Sequence, residues 1–277
     1  MKESKKNTNN NVHLYGYIND VRIKKLDNGK TLIGIDIVTL EQYKSKEGEF
    51  KNKRTYHNGV LFPEDKALIK KFTAIAKDCA KNIKNRDVEG FKPETHSISL
   101  NGYLSNPDAG SSNVSIIIDE KTLDLDVKQE ENEIRNRADF VGNIGAIDIY
   151  DDKRFATIRV AHHFRPEGAE KEFETWLNVR VDGDRLYSKN TYDAIVKGEV
   201  AKGDFVRLGG QLHNNNFETK DGKKVYGVVL DLTTFQKLEK KEAEAEKVEV
   251  KEEPKVEPKK AAPKKAAPKK KAAAPKL

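Results

Sequence analysis

FETWLNVRV, residues 173–181, alternates along its whole length. Successive side chains of an extended strand point to opposite faces. Phe173, Thr175, Leu177, Val179 and Val181 therefore share one face, which suits a barrel interior. Glu174, Trp176, Asn178 and Arg180 share the other, so the only tryptophan of the chain is expected on a polar outer face. An exposed aromatic beside an amide and an arginine is a platform on which a flat ring can stack, with a cation nearby for an anion. The alternative is that Trp176 packs beneath a loop or at a subunit contact.

A second stretch repeats the arrangement. In RTYHNGVLF, 54–62, Arg54, Tyr56, Asn58, Val60 and Phe62 share a face, again an aromatic followed two residues on by an amide. Around each stretch lies the same order of elements. Strands are expected over 12–23, 31–40 and 54–62. After Pro63 comes a helix, with Ala67, Leu68, Phe72, Ile75, Ala76, Cys79 and Ile83 at helical spacing. Strands over 96–104 and 114–125 complete the first set. The second set is strands over 138–149, 155–163 and 173–181, a helix over 186–196, and strands over 205–213 and 225–235.

Particular residues recur with the pattern. Leu14, Gly16 and Ile18 match Phe140, Gly142 and Ile144 at an offset of 126. Tyr56 matches Trp176 at 120, and Gly102 and Leu104 match Gly210 and Leu212 at 108. The falling offset places longer loops in the first copy. Three strands, a helix and two strands, twice, define an all-β chain of two tandem five-stranded Greek-key barrels, each with one helix. The expected domains are 10–126 and 138–236, joined by a linker over 127–137 and followed by a tail over 237–277.

The length of 277 residues leaves room for two domains of ordinary size. The tail holds 14 Lys and 8 Glu, which is six of the seven net positive charges, and ends in Ala-Ala-Pro-Lys-Lys repeats. Lacking aromatics and rich in proline, it is expected to be disordered. The body is near neutral, so any anion site there comes from local clustering. The single cysteine, Cys79, reads as a small buried hydrophobe. With no intrachain disulfide possible, the chain fits a reducing, cytoplasmic setting. The polar first eleven residues are unlike a signal peptide. No apolar run approaches the ~18 residues needed to span a membrane.

Aromatic and basic residues also interleave on the hairpin before each of these strands. The first, 43–54, carries Tyr43, Lys44, Lys53 and Arg54; the second, 162–173, carries His163, Phe164 and Arg165. A long hairpin within 202–232, with Asp221-Gly222 at its turn, carries Phe217 and Lys224. Rings that stack on bases and cations that neutralise phosphates suit single-stranded nucleic acid. An ordinary solvated hairpin is the alternative. The candidate binding set is therefore Tyr43, Lys44, Lys53, Arg54, Tyr56, Asn58, Phe62, Arg159, His163, Phe164, Arg165, Trp176, Asn178, Arg180, Phe217 and Lys224.

Nothing points to catalysis, a cofactor, a metal or a small-molecule substrate. Phosphate-cradling glycine motifs and a nucleophile elbow are missing. His162 and His163 would face opposite sides of a strand, which is poor geometry for one metal.

With these motifs in order, the chain resembles the bacterial single-stranded DNA-binding protein family, across most of 10–235. The segments that carry the resemblance are ADFVGNIG (138–145), the aromatic and charged hairpins, the Thr-Trp third strand, KGDFVRLGGQL (202–212) and KDGKKVYG (220–227). The resemblance implies two OB-fold barrels. It implies single-stranded DNA as partner, bound without strong sequence preference during replication, recombination or repair. It also implies a homodimer with four barrels. Of the family's four stacking positions, Tyr43, Tyr56 and Phe62 fill three in the first copy. Phe164, Trp176 and Phe217 fill three in the second, where Asp182 stands in the place of Phe62. The family's acidic tip with a terminal Pro-Phe is replaced here by Pro275-Lys276-Leu277, so partner recruitment in that manner is not expected. The same fold also serves RNA binding or protein contacts, as in a replication accessory.

Overall fold

The computed structural model describes residues 10–44, 48–106, 113–127, 136–164, 173–218, 222, 224–225 and 227–238. The first barrel is built from β1 (Asn10–Lys25), β2 (Thr31–Lys44), β3 (Phe50–Leu61), α1 (Lys66–Asn85), β4 (Ser97–Ser105) and β5 (Ser115–Ile118). Antiparallel pairing links β1 to β2, β2 to β3, β1 to β4 and β4 to β5. A short parallel pairing of β3 with β5, Gly59 beside Ile116, closes the ring. The last strand stops well short of Leu125. Asp119 ends it by capping a 3-10 turn, its side chain accepting from Lys121 N at 3.1 Å. The chain then returns as β6 (Asp124–Leu125) beside β4.

The second barrel repeats the plan with β7 (Asn136–Tyr150), β8 (Phe155–Phe164), β9 (Phe173–Asp182), α2 (Lys189–Val196) and β10 (Phe205–Asn214). A two-stranded hairpin, β11 (Phe217–Glu218) with β12 (Lys224–Val225), precedes β13 (Val228–Leu238). Parallel pairing of β13 with β9, Leu230 beside Val179, closes this ring as β5 closes the first. Both barrels are five-stranded OB-type Greek keys. β7 begins inside the expected linker, at Asn136. β13 runs past the expected tail boundary, with Lys237 opposite Val206 and its Nζ 2.8 Å from Asp204. Residues 128–135 and 239–277, most of the expected linker and tail, lie outside the described residues. No helix among the described residues is long and apolar enough to cross a membrane.

The cores follow from period-two burial. Ile33, Ile35 and Ile37 of β2 and Leu177 and Val179 of β9 are fully buried. Each such aliphatic side chain contributes about 1.5–3 kcal/mol. Helix α1 starts where Asp65 accepts from Ala67 N, and it buries Phe72, Ile75 and Cys79 against the first barrel. Burial pushes the Cys79 thiol pKa up, so the residue behaves as the hydrophobe expected of it.

The duplication extends to backbone detail. A Cβ on Gly16 would lie 2.6 Å from Val38 O, and one on Gly142 would meet Ala161 O, so a side chain at either would part the first two strands of its barrel. Each first strand then shifts register by one residue, at Asn19 in β1 and at Gly145 in β7. The barrels join through β1 and β7, antiparallel, with Asn10 opposite Phe140 and Leu14 opposite Asn136. The Asn10 amide brackets the backbone of Leu104, and the Asn136 amide does the same to Leu212, all four bonds buried at 2.7–3.1 Å. The described residues form one compact unit.

Candidate nucleic-acid interface

The alternation read in 173–181 is the alternation found. Thr175, Leu177, Val179 and Val181 are buried, and Trp176, Asn178 and Arg180 are partly exposed. Phe173 departs from it. It was expected inside, but it is 59% exposed, because it sits beyond the barrel mouth on the β8–β9 hairpin, opposite Phe164.

Trp176 lies over the bulge of β7. A Cβ on Gly145 would come within 2.6 Å of the indole, so glycine is what lets the ring lie down there. Arg159 of β8 lies against the ring, its Cζ 4.7 Å from the centroid. That contact is worth about 0.5–1 kcal/mol at a site of this exposure, and it places a positive charge beside the platform. In the first barrel Tyr56 is 44% exposed at the equivalent place, between exposed Arg54 and Asn58, and Phe62 is 45% exposed just beyond β3. By strand register Asp36 stands where the second barrel has Arg159, and it accepts from Asn19, the bulge residue, at 3.2 Å. The Asn58 amide donates to Ser115 Oγ at 2.9 Å.

Among the other candidates, Arg180 differs from the reading of the sequence. Arg180 was expected to face phosphate. Its Nη2 instead lies 2.7 Å from Oδ2 of Asp231, a buried carboxylate that Arg185 also approaches at 3.5 Å. His163 is exposed and 3.6 Å from Glu174, while His162 is buried with its Nδ1 2.7 Å from Val141 O, so the two rings do face opposite ways. Phe164 is half-buried; Lys53 is exposed, opposite Glu41. Asp182, in the place of Phe62, accepts from Asp184 N and pairs with Arg185 at 3.2 Å, which fixes the turn towards α2. Tyr43 and Lys44 fall at the end of β2, and Phe217 and Lys224 fall in β11 and β12. Their side chains, and all of Arg165, lie outside the described residues.

Several contacts around the platforms were not legible in the sequence. Asn214 reaches across the seam to β3, where its Oδ1 accepts from Tyr56 N at 2.7 Å and its Nδ2 donates to Tyr56 O at 2.8 Å. Asn106 reaches the other way, its Oδ1 accepting from Trp176 N at 2.6 Å. Thr55 Oγ1 lies 3.3 Å from His213 Nδ1, and Thr175 Oγ1 donates to Leu104 O at 3.3 Å. His57 Nε2 lies 2.9 Å from Thr39 Oγ1. Burial, and secondarily the charge of His213, lowers the His57 pKa to about 3. The His213 pKa is also lowered by burial, against the opposing pull of Asp231 and Glu41. The offsets of 120 and 108 could have flagged Asn106 and Asn214 as a matched pair, since they share the shift of Leu104 and Leu212.

Away from this face, Asp78, Glu94 and His96 bring one ligand atom each within 4.8 Å of one another. The imidazole sits between Asp78 and Asp126, 3.3 Å from each, which ties α1 to the start of β4.

Each barrel thus carries a ring and an amide on the outer face of its third strand, exposed in the first barrel and partly exposed in the second. In three dimensions the chain is similar to the wild-type single-stranded DNA binding protein from Thermus aquaticus. The two share 13% identity at a TM-score of 0.50, over 83% of this chain and 92% of that one. A deletion mutant of the same Thermus protein matches at 14% identity and a TM-score of 0.51, over 83% and 94%. The likeness shows the fold, two OB barrels in one chain, as the sequence motifs implied. No protein-family model matches the sequence, and a sequence search of curated proteins finds no match.

Proposed function

We propose that the protein binds single-stranded DNA without strong sequence preference, stacking bases on outer-face aromatics while lysines and arginines meet phosphates. The observation that carries this reading is the partly exposed Trp176 on the outer face of β9, its ring edge close to Gly145 and the Arg159 guanidinium 4.7 Å from its centroid, with exposed Tyr56 at the matching place in the first barrel. A ring with a fixed orientation stacks on any base, and the adjacent cation serves the backbone. The match to a solved protein described as a single-stranded DNA binding protein supports the same reading. Phe62, Arg54, Lys53, Asn58, Asn178, His163 and Phe164 complete the described part of the surface. Tyr43, Lys44, Arg165, Phe217 and Lys224, the remaining candidates from the sequence, have side chains outside the described residues. Protection of single strands during replication, recombination or repair in a cytoplasm is the corresponding role, with a homodimer of four barrels as the assembly.

The test is a titration with oligo(dT), with matched duplex as control, following the emission of the single tryptophan. Quenching by single strand and none by duplex is expected. A protein that binds neither, by quenching or by a labelled-oligonucleotide assay, overturns the proposal.

A further inference from the structure

Tyr56 and Trp176 belong to different barrels, yet the backbone of each is held by the opposite barrel. The reason lies in how the rings of strands close. On one side β3 pairs with β2 along its whole length, Val38 opposite Tyr56. On the other side its parallel partner β5 takes part only at Gly59 and Val60. The peptide of Tyr56 therefore has an edge that, among the described residues, no strand of its own barrel covers. Asn214 fills that edge, accepting from the N–H and donating to the carbonyl, so one side-chain amide replaces a missing strand residue. β9 is in the same position, since β13 pairs with it only from Asn178 onward, and the N–H of Trp176 is taken by Asn106. The two asparagines are equivalent in the duplication, and each stands at or just past the end of its barrel's fourth strand. Both therefore reach the other barrel by the same route.

We propose that Asn106 and Asn214 are positioning residues through which each barrel sets the stacking geometry of the other. A single strand then meets the two barrels as one coupled surface, with Tyr56 and Trp176 as its anchors on either side of the seam. This rests on the single-stranded DNA reading above. A base stacked on a ring is worth a fixed amount only if the backbone beneath the ring is fixed. For Tyr56 and Trp176 that rigidity comes across the seam.

The experiment is a pair of double-mutant cycles with oligo(dT) in the full chain. Asn214→Ala is expected to weaken binding, by at most the about 5- to 150-fold that one stacked base represents. In a Tyr56→Ala background the same change is expected to have no further effect, because the asparagine acts through that ring. A loss of the same size in both backgrounds means a general effect on the fold and overturns the proposal. Asn106→Ala gives the second, independent reading, from the emission of Trp176. Oligo(dT) is expected to quench that emission more weakly and to bind less tightly, and the loss of affinity should vanish in Trp176→Ala. Quenching and affinity unchanged by Asn106→Ala also overturn it. If the unaltered protein does not bind oligo(dT), it is the functional reading that has failed, and the coupling falls with it.

Discussion

Gly145 has the smallest side chain at the interface and constrains the largest. A methyl group there would press on the indole of Trp176. Gly145→Ala is expected to lift the ring, shift its emission and lower oligo(dT) affinity by about 1–3 kcal/mol, as Trp176→Ala should. Arg159 and Arg180 look alike in the sequence, but the structure separates them. Arg159 stands over the ring, so Arg159→Ala should weaken binding and reduce the slope of log affinity against log salt by about 0.7, one phosphate contact. Arg180 is held by a buried carboxylate, so Arg180→Ala should lower stability in urea, by about 1–3 kcal/mol, while that slope stays as it was. Nothing in FETWLNVRV marks Arg180 as an ion-pair partner, because Asp231 is far along the chain.

Strands were the legible level of this molecule, since period-two burial is a local signal. The alternation of 173–181 and the offsets between copies located both barrels, and the third strands carry their rings on the outside as read. The contacts that join elements distant in sequence were hidden. Asn10 and Asn136 look like polar residues at the edge of apolar runs, yet each satisfies both backbone groups of a leucine in its barrel's fourth strand. Asn136→Ala would leave the N–H and carbonyl of Leu212 buried without their partner. A destabilisation of about 1–3 kcal/mol in urea unfolding is expected, with little change in oligo(dT) affinity once folded. Asp119 likewise ended a strand that the apolar run 114–118 suggested would continue, because a capping carboxylate outweighs weak local alternation.

The whole molecule carries a pH dependence set by three buried histidines. His57, His162 and His213 are all held neutral by burial, with folded pKa values below the ordinary 6.5. For His57 the value is about 3. The unfolded chain takes up these protons first, so stability is full above about pH 6.5 and falls as pH drops towards 3. Urea midpoints measured from pH 8 to pH 4 should therefore be flat above neutrality and decline in acid. His57→Leu, which installs the residue type that the second barrel has at Leu177, should reduce that decline. The pairing of β1 with β7 has a different consequence, in time rather than energy. During synthesis the outer edge of residues 10–14 waits for a strand more than a hundred residues away. At about 5–20 residues per second that edge stays bare for on the order of ten seconds. A second nascent chain on the same message presents the same bare edge, and the pairing that fuses the two halves could then form between neighbours. The fused design makes the pairing of the two barrels within one chain indifferent to dilution, while leaving the first strand exposed to exchange as it is made.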